Sequence, residues 1–392
     1  MKIKAIPLLF ILLFLMFNKS FSQEDLKKWE LNGYVSQMSS YFKFNSNLLG
    51  FEYLDNTVHN RLNLHWYQSD KFTASLQLRN QLLVGDQIRH DTLDALKDHL
   101  DKDFLAFNLI EDRMAVLNSM IDRLYFKYSR PKLDITLGRQ RINWGQTYVF
   151  NSNDIFNAYS FFEFDYPERP GSDALRIQFY PGYTSTVEAA IKYKNDTSIT
   201  AAALGRFSKW NYDIQMIGGL YNSDDLVIGG GWAGNIKDVS FSGEFSYLHP
   251  YKEFKDTSGL FFASINLNYL FSNSLMIQFE TFYNQYLKNK KLTFGDLLGG
   301  EQDIKSLTVS EFTLFASLSY PFNPLINSSM SIMYYLDVKG INIFPSFDFS
   351  ISNKASFSII GMYFKGEFDY GPPFGIQDNE LYLAFLRFKY SF

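Results

Sequence analysis

The chain has 392 residues, with 37 lysines and arginines against 41 aspartates and glutamates, and it contains no cysteine. This mildly acidic balance does not indicate a nucleic-acid partner, and the lack of cysteine excludes disulfides, thiol chemistry and iron–sulfur clusters. Phenylalanine, tyrosine and tryptophan make up 18% of the sequence, which is high for a soluble globular domain.

The first 22 residues have the pattern of a secretory signal peptide. They begin with basic residues, continue with an apolar run over 5–17, and end with small residues before a predicted cleavage ahead of Gln23. The apolar run is shorter than the about 20 residues that a membrane-spanning helix needs, so a short membrane anchor is the weaker alternative. We predict a signal peptide over 1–22 and a mature chain over 23–392.

The mature chain consists of one segment after another in which apolar and polar residues alternate. In one example, Phe72, Ala74, Leu76 and Leu78 alternate with Thr73, Ser75, Gln77 and Arg79. Strands of about ten residues with one apolar and one polar face are typical of an outer-membrane barrel, with lipid outside and water inside. A soluble β-sandwich or propeller is the alternative, but the many Phe and Tyr residues toward the strand ends favour interfacial girdles.

The predicted fold is therefore all-β: a transmembrane antiparallel up-and-down β-barrel of about 18 strands (16–18). The predicted strands are 29–46, 55–70, 72–85, 121–130, 133–142, 173–181, 184–194, 199–207, 209–221, 225–236, 238–249, 258–271, 273–287, 307–320, 326–338, 341–351, 354–366 and 380–392.

The predicted connections alternate in length along the chain. Every long one follows an odd-numbered strand: 86–120, 143–172, 250–257, 288–306 and 367–379. Short turns follow the even-numbered strands, as expected if the short turns and both termini face the periplasm and the long loops face outward. In the first loop, apolar residues at roughly helical spacing between Thr92 and Leu117 predict one or two short surface helices.

The last strand carries a pattern of its own. Phe388, Tyr390 and Phe392 alternate up to the terminal carboxylate. In this the chain resembles bacterial outer-membrane proteins generally, whose last strand ends in Phe and is read by the barrel-assembly machinery. The resemblance implies an assembly signal at these three residues, a location in the cell outer membrane, and contact with its lipid and lipopolysaccharide.

A second resemblance rests on the residues around the predicted loop 143–172. Gly138-Arg139-Gln140 and Trp144-Gly145 look like the G-R-Q…W-G segment of porin-like barrels, including the alginate-export type. The abundance of Phe, Tyr, Asn and Lys is similar to that of Bacteroidetes proteins. The resemblance implies a diffusion channel or an export duct and no particular solute.

Arginines recur on the predicted lumen side of the early strands. The candidates for lining a pore are Arg61, Arg79, Arg123, Arg139, Arg141 and Arg176. Arg139 and Arg141 share parity with lipid-facing residues, so they reach the lumen only if Gly138 marks a bulge that shifts the register. One reading is a basic ladder that attracts anionic solutes. In the other, the arginines pair with Asp154, Asp165, Glu168 and Asp173 and hold the loop in place.

The loop over 143–172 is too aromatic to extend into water, so we predict that it folds inward and narrows the barrel. Its candidate constriction residues are Phe161, Phe162, Tyr166, Asp154, Asp165, Glu168 and Arg169, together with Asp173 just beyond it. Packing as a plug without any ligand is the alternative.

Catalysis has little support in the sequence. None of the five histidines has metal-ligand spacing, and no catalytic serine motif appears. The run Gly229–Gly234 matches G-x-G-x-x-G only formally, because it lies within a predicted strand, and packing against a bulky neighbour explains it better. We expect neither an enzyme nor a metal or cofactor.

The predicted function is a porin-like channel for passive diffusion of small hydrophilic solutes, anionic or sugar-like. The alternatives are an export duct for a polymer or hydrophobic compound and, less favoured, a barrel enzyme.

Overall fold

The computed structural model describes residues 28–47, 50–89, 105–158, 168, 171–194, 197–252, 254–255, 257–288, 290 and 303–392. The predicted signal peptide lies outside these residues. Within them, no helix is both long and apolar enough to cross a membrane.

The described residues form nineteen strands. They are β1 (Trp29–Ser46), β2 (Gly50–Ser69), β3 (Phe72–Gly85), β4 (Ala106–Asp112), β5 (Ala115–Arg130), β6 (Leu133–Gln140), β7 (Ser172–Gly182), β8 (Ser185–Tyr193), β9 (Ile199–Lys209), β10 (Tyr212–Tyr221), β11 (Asp225–Ile236), β12 (Val239–Pro250), β13 (Leu260–Leu270), β14 (Met276–Asn284), β15 (Phe312–Asn323), β16 (Ile326–Tyr335), β17 (Gly340–Ser350), β18 (Ala355–Asp369) and β19 (Ile376–Ser391). A helical turn α1 (Asp86–Arg89) and the 3-10 turns Gln285–Leu287 and Ile304–Ser306 complete the regular structure.

Eighteen of these strands close into an antiparallel barrel. Each pairs with the next along the chain, except that β3 pairs with β5, and β19 pairs back with β1. At the closure, the N–H of Gly33 donates to the carbonyl of Phe392, and the N–H of Phe392 donates to the carbonyl of Gly33. The predicted fold and strand number are thus confirmed. Closure leaves none of the eighteen barrel strands with an open edge, which a sheet in lipid requires.

The two faces of the wall differ as the alternation predicts. On β14, Phe279 points outward and is 41% exposed, whereas its neighbours Gln278 and Glu280 point inward and are buried. Aromatic residues gather near the strand ends, as in the stacked pair Trp29 and Trp66. A soluble sandwich would bury its apolar faces against each other, and here those faces form the outer surface.

The connections separate by length, as predicted. At one end of the barrel, here called the turn end, they have two to five residues, and the termini of β1 and β19 lie there too. At the other end, the loop end, lie the long connections, including 141–171 and 285–311.

The helices predicted between Thr92 and Leu117 are contradicted where the structure describes the segment. Residues up to 104 lie outside the described part, but β4 and β5 form a hairpin in which Phe107 pairs with Ser119. The apolar residues of β4 fit a period of two as well as a helical one, and pairing with the upper edge of β5 satisfies the backbone of both strands.

Candidate functional site

Residues 142–157, here called the inner segment, lie against the inside of the barrel wall. The indole N–H of Trp144 donates to the buried carboxylate of Glu188 on β8 at 2.6 Å. The side-chain amide of Gln215 on β10 donates to the carbonyl of Trp144 at 2.6 Å. Both strand residues face the interior, so the segment after β6 runs along the inner face of the wall.

Glu280 on β14 holds the middle of the inner segment. Its carboxylate accepts hydrogen bonds from three consecutive backbone N–H groups: Tyr148 at 3.1 Å, Val149 at 3.0 Å and Phe150 at 2.7 Å. Asn266 on β13 donates to the same carboxylate at 2.8 Å. Converging N–H groups around an anion form a concave binding site, and here the anion belongs to the wall.

Glu244 on β12 holds the inner segment at two further points. Its carboxylate accepts from the backbone N–H of Gln146 at 2.6 Å and from that of Asn153 at 3.0 Å. The hydroxyl of Ser246 donates to the carbonyl of Ser152 at 2.9 Å. Glu244 and Glu280 are 1% and 0% exposed, so these charge-assisted hydrogen bonds replace the water that each carboxylate loses.

Two glycines of β11 make room for the inner segment. A Cβ on Gly229 would lie 2.7 Å from Oδ1 of Asn153, and a Cβ on Gly231 would lie 2.9 Å from Oε1 of Gln146. The side-chain amide of Asn153 also reaches the carbonyl of Gly230 at 2.9 Å. The expectation that this glycine run packs against bulky neighbours is confirmed: Gly229 and Gly231 face the inner segment, Gly230 lies against Phe245, and Gly234 lies against Tyr212.

Apolar side chains pack between the inner segment and the loop end. Phe150 stacks on Phe282 of β14 at 5.0 Å between ring centroids, and Trp144 meets Phe156 edge-on at 4.8 Å. Leu307 and Val309 join the same buried cluster. The sequence predicted a strand from residue 307, but β15 begins at Phe312. Apolar residues can alternate in the same way in a strand and in a loop that packs against the inside of a strand. The alternation from residue 307 therefore predicts a strand in either case.

Three of the predicted arginines meet on another part of the inner wall. Arg61 of β2 lies directly opposite Arg79 of β3. A bulge in β5 turns both Asp122 and Arg123 inward. Asp122 then forms ion pairs with Arg61 at 2.6 Å and with Arg123 at 3.1 Å.

Two residues on β1 and β19 extend this basic region. The ammonium of Lys389 lies 3.8 Å from the ring centroid of Tyr34. The hydroxyl of Tyr34 donates to Glu168 at 2.9 Å. We call Arg61, Arg79, Arg123 and Lys389 the basic wall.

The other predicted arginines lie elsewhere. Arg176 forms two hydrogen bonds with Glu188, at 2.7 and 2.8 Å, beside Trp144. Arg139 pairs with Asp173 at 2.5 Å and also donates to the carbonyl of Ile121. Of these two pairs, only that of Arg139 with Asp173 joins residues that the sequence predicted to pair, and it links β6 to β7 where the long loop begins and ends.

The bulge that would bring Arg139 into the lumen is absent. Gly138 has a positive φ of 113°, but the pairing of β6 with both neighbours runs through it without a register shift. The side chain of Arg139 therefore lies on the same face of β6 as the outward residues. It is buried because it covers the edge of β5 at the point where β6 ends.

The remaining candidates divide between described and undescribed residues. Arg141 is exposed, and Asp154 is buried within the inner segment. Phe161, Phe162, Asp165, Tyr166 and Arg169 lie outside the described residues. Sequence reasoning missed Glu188, Glu244 and Glu280, although a lone acidic residue at an inward position among amides and hydroxyls is a usable signal for a buried contact.

Comparisons with known proteins show similarity in fold and none in sequence. No model of a protein family matches the chain, and no curated protein matches it. Among solved structures, it is similar to OpdL of Pseudomonas aeruginosa (TM-score 0.57, 9% identity, 93% of this chain and 99% of that one). It is also similar to OccAB4 of Acinetobacter baumannii (TM-score 0.55, 10% identity, 93% and 99% coverage) and to OprD of Pseudomonas aeruginosa (TM-score 0.53, 10% identity, 92% and 95% coverage). These structures are outer-membrane porins, and at such identities the likeness shows the fold alone.

Proposed function

We propose that this chain is an outer-membrane channel through which small hydrophilic solutes diffuse passively, with a preference for anions. The observation that carries the proposal is the division of the interior. The inner segment is fastened to β8–β14 by Glu188, Glu244 and Glu280, whereas the basic wall belongs to β2, β3, β5 and β19. The solute path then runs between the inner segment and the basic wall.

The charges favour anions on this path. The basic wall carries four positive charges, and the acidic residues among them are Asp122 and Glu168, which leaves a net charge of two positive (4 − 2). On the opposite side, the carboxylates of Glu244 and Glu280 are occupied by backbone N–H groups of the inner segment. A net positive constriction in a low-dielectric surrounding attracts anions and repels cations.

We also propose a route by which the chain reaches the outer membrane. A signal peptide over 1–22 would direct export, and the barrel-assembly machinery would recognise the last strand through Phe388, Tyr390 and Phe392. Lipid and lipopolysaccharide would then cover the outer face. The similarity to outer-membrane porins supports this location.

Reconstitution of the purified protein into planar bilayers tests the function. We expect discrete conductance steps and, in a salt gradient, a reversal potential that favours the anion. A folded, heat-modifiable barrel that inserts without any conductance would contradict a diffusion channel.

A second candidate function follows from the apolar packing toward the loop end. Fully buried Phe262, Phe282 and Phe364 belong to one continuous apolar cluster with the inner segment, a surrounding that suits a hydrophobic compound better than an ion. If the chain is a duct for such a compound, cells that produce the protein should exchange a lipophilic fluorescent probe faster than cells that lack it. A diffusion channel for anions predicts no difference.

A further inference from the structure

Three polar side chains form a row across the outer surface of β2, β3 and β5. Asn60 lies directly opposite Asn80, and Asn80 lies directly opposite Ser119. The amide of Asn80 donates to Oδ1 of Asn60 at 3.2 Å, and the hydroxyl of Ser119 donates to Oδ1 of Asn80 at 2.7 Å. The row is thus a continuous hydrogen-bonded chain on the outside of the barrel.

The polar row lies within an apolar surface. The adjacent outward row toward the turn end consists of Leu62, Leu78 and Ile121, and the one toward the loop end consists of Val58, Leu82 and Leu117. Apolar neighbours on both sides place the three polar residues within the lipid-facing band. A second polar group follows on β1 and β2, where Gln37 and Ser39 both donate to Asn56.

The outer surface of β8–β17 differs from this face. In the middle of β8–β17, the outward residues are apolar, aromatic or glycine, with Thr281 as the exception. Ile228 of β11 and Met216 of β10, for example, are 64% and 62% exposed. Polar groups that face lipid are costly because hydrocarbon offers them no hydrogen bonds. No such row lies in the middle of β8–β17, and this difference sets the face of β1, β2, β3 and β5 apart from that side of the barrel.

We propose that the outward face of β1, β2, β3 and β5 is the docking surface for a second copy of this chain in the plane of the membrane. The polar groups are neutral amides and hydroxyls, and each carries both donors and acceptors. Such a row is complementary to itself when turned by a two-fold axis, whereas a lipid tail offers it nothing.

The neighbouring strand extends this face. Phe107 of β4 lies directly opposite Ser119 of β5 and is 52% exposed, and Leu109 of β4 is 64% exposed. An apolar rim next to a central polar row is the arrangement that membrane-embedded interfaces use. Asn80 stands at the centre of the row, so the two-fold axis passes close to it. Asn60 then faces Ser119 of the second copy.

Cysteine cross-linking in native outer membranes tests this arrangement, because the chain contains no cysteine of its own. Asn80→Cys should form a disulfide-linked dimer, and the matched lipid-facing control Ile228→Cys should not. Co-expressed Asn60→Cys and Ser119→Cys chains should cross-link to each other more than either does to itself. Equal cross-linking of Asn80→Cys and Ile228→Cys, or a link from Asn80→Cys to a different protein, would overturn the proposal.

The double variant Asn60→Leu/Asn80→Leu provides a second measurement. It removes both amides of the polar row and leaves the interior unchanged, so the barrel should fold and conduct as before. Loss of hydrogen bonds across the interface should weaken self-association by about tenfold, measured as the mass of the complex in nanodiscs over a range of protein-to-lipid ratios. A wild-type protein that is monomeric throughout would contradict the proposal, whatever its conductance.

Discussion

The carboxylate of Glu280 accepts a hydrogen bond from the backbone N–H of Phe150 at 2.7 Å, although the two residues stand 130 positions apart in the chain. Two preceding N–H groups converge on the same carboxylate. The wall therefore holds the inner segment mainly by its backbone, and the position of the segment depends on a few acidic residues of the strands.

We expect Glu280→Gln to release the inner segment. The substituted amide places an NH2 donor against backbone donors, and the charge-assisted bonds are lost. Loss of these bonds weakens docking by about 3 kcal/mol. The variant should show a larger, noisier single-channel conductance and faster proteolysis near Phe150. Glu367→Gln, whose partner is the exposed Lys339, is the control and should behave as wild type. Equal proteolysis of both variants would show that Glu280 does not hold the segment.

Gly229→Ala should disturb the same contact from the other side. The added Cβ would lie within 2.8 Å of Oδ1 of Asn153 and of two wall atoms, Cγ1 of Ile217 and the carbonyl oxygen of Phe245, so the inner segment and the wall have to move apart, at a cost of about 1–3 kcal/mol. The temperature at which the folded band disappears in a heat-modifiability gel should fall. Gly205→Ala places its Cβ where no atom lies within 4 Å and should leave that temperature unchanged. A similar fall in both variants would point to backbone effects and not to the inner segment.

The barrel could be predicted from the sequence because its signal repeats. A strand with lipid on one side and a polar interior on the other must alternate residue by residue, and register is fixed wherever one face is apolar. The β10–β11 pair shows this directly, since outward Met216 and Ile228 share one face and inward Gln215 the other. Loop lengths added an independent check.

The interior could be predicted only in part. The inward position of Arg61 and Arg79 follows from parity, but the bulge that turns Asp122 inward beside Arg123 leaves no mark in the sequence. The hydrogen bonds of Glu244 and Glu280 join distant parts of the chain through backbone N–H groups, which every residue type except proline possesses. Such contacts depend on the folded path of the loop and not on residue identity.

Arg123→Gln should reduce anion preference, because it lowers the net charge of the basic wall and its acidic neighbours from two positive to one. The ratio of anion to cation permeability should fall roughly twofold, measured as a reversal potential in a salt gradient. Arg176→Gln is the informative comparison. It removes the same charge, but Arg176 lies beside Glu188 and Trp144, on the side of the barrel that the inner segment covers, so its loss should move the reversal potential less than that of Arg123. Equal shifts from both variants would remove the basic wall as the source of selectivity.

Replacing both Phe388 and Tyr390 by Asp should block assembly. Both side chains point outward and are 42% exposed, and β19 closes the barrel against β1. Charges there face lipid and also alter the predicted assembly signal. We expect most of the protein to be degraded before insertion, as measured by outer-membrane fractionation and heat modifiability. The control, Ser391→Thr, should assemble normally. Wild-type levels of the folded double variant would refute the signal.

The most direct test of the central claim is the conductance of a barrel from which residues Phe150 to Tyr166 have been excised and replaced by a short Gly-Ser bridge. Glu280 then loses the N–H of Phe150 and Glu244 loses that of Asn153, and the path beside the basic wall widens. We predict a folded, heat-modifiable barrel whose single-channel conductance exceeds that of the wild type under the same salt. An excised barrel that is folded yet conducts no more than the wild type would contradict it.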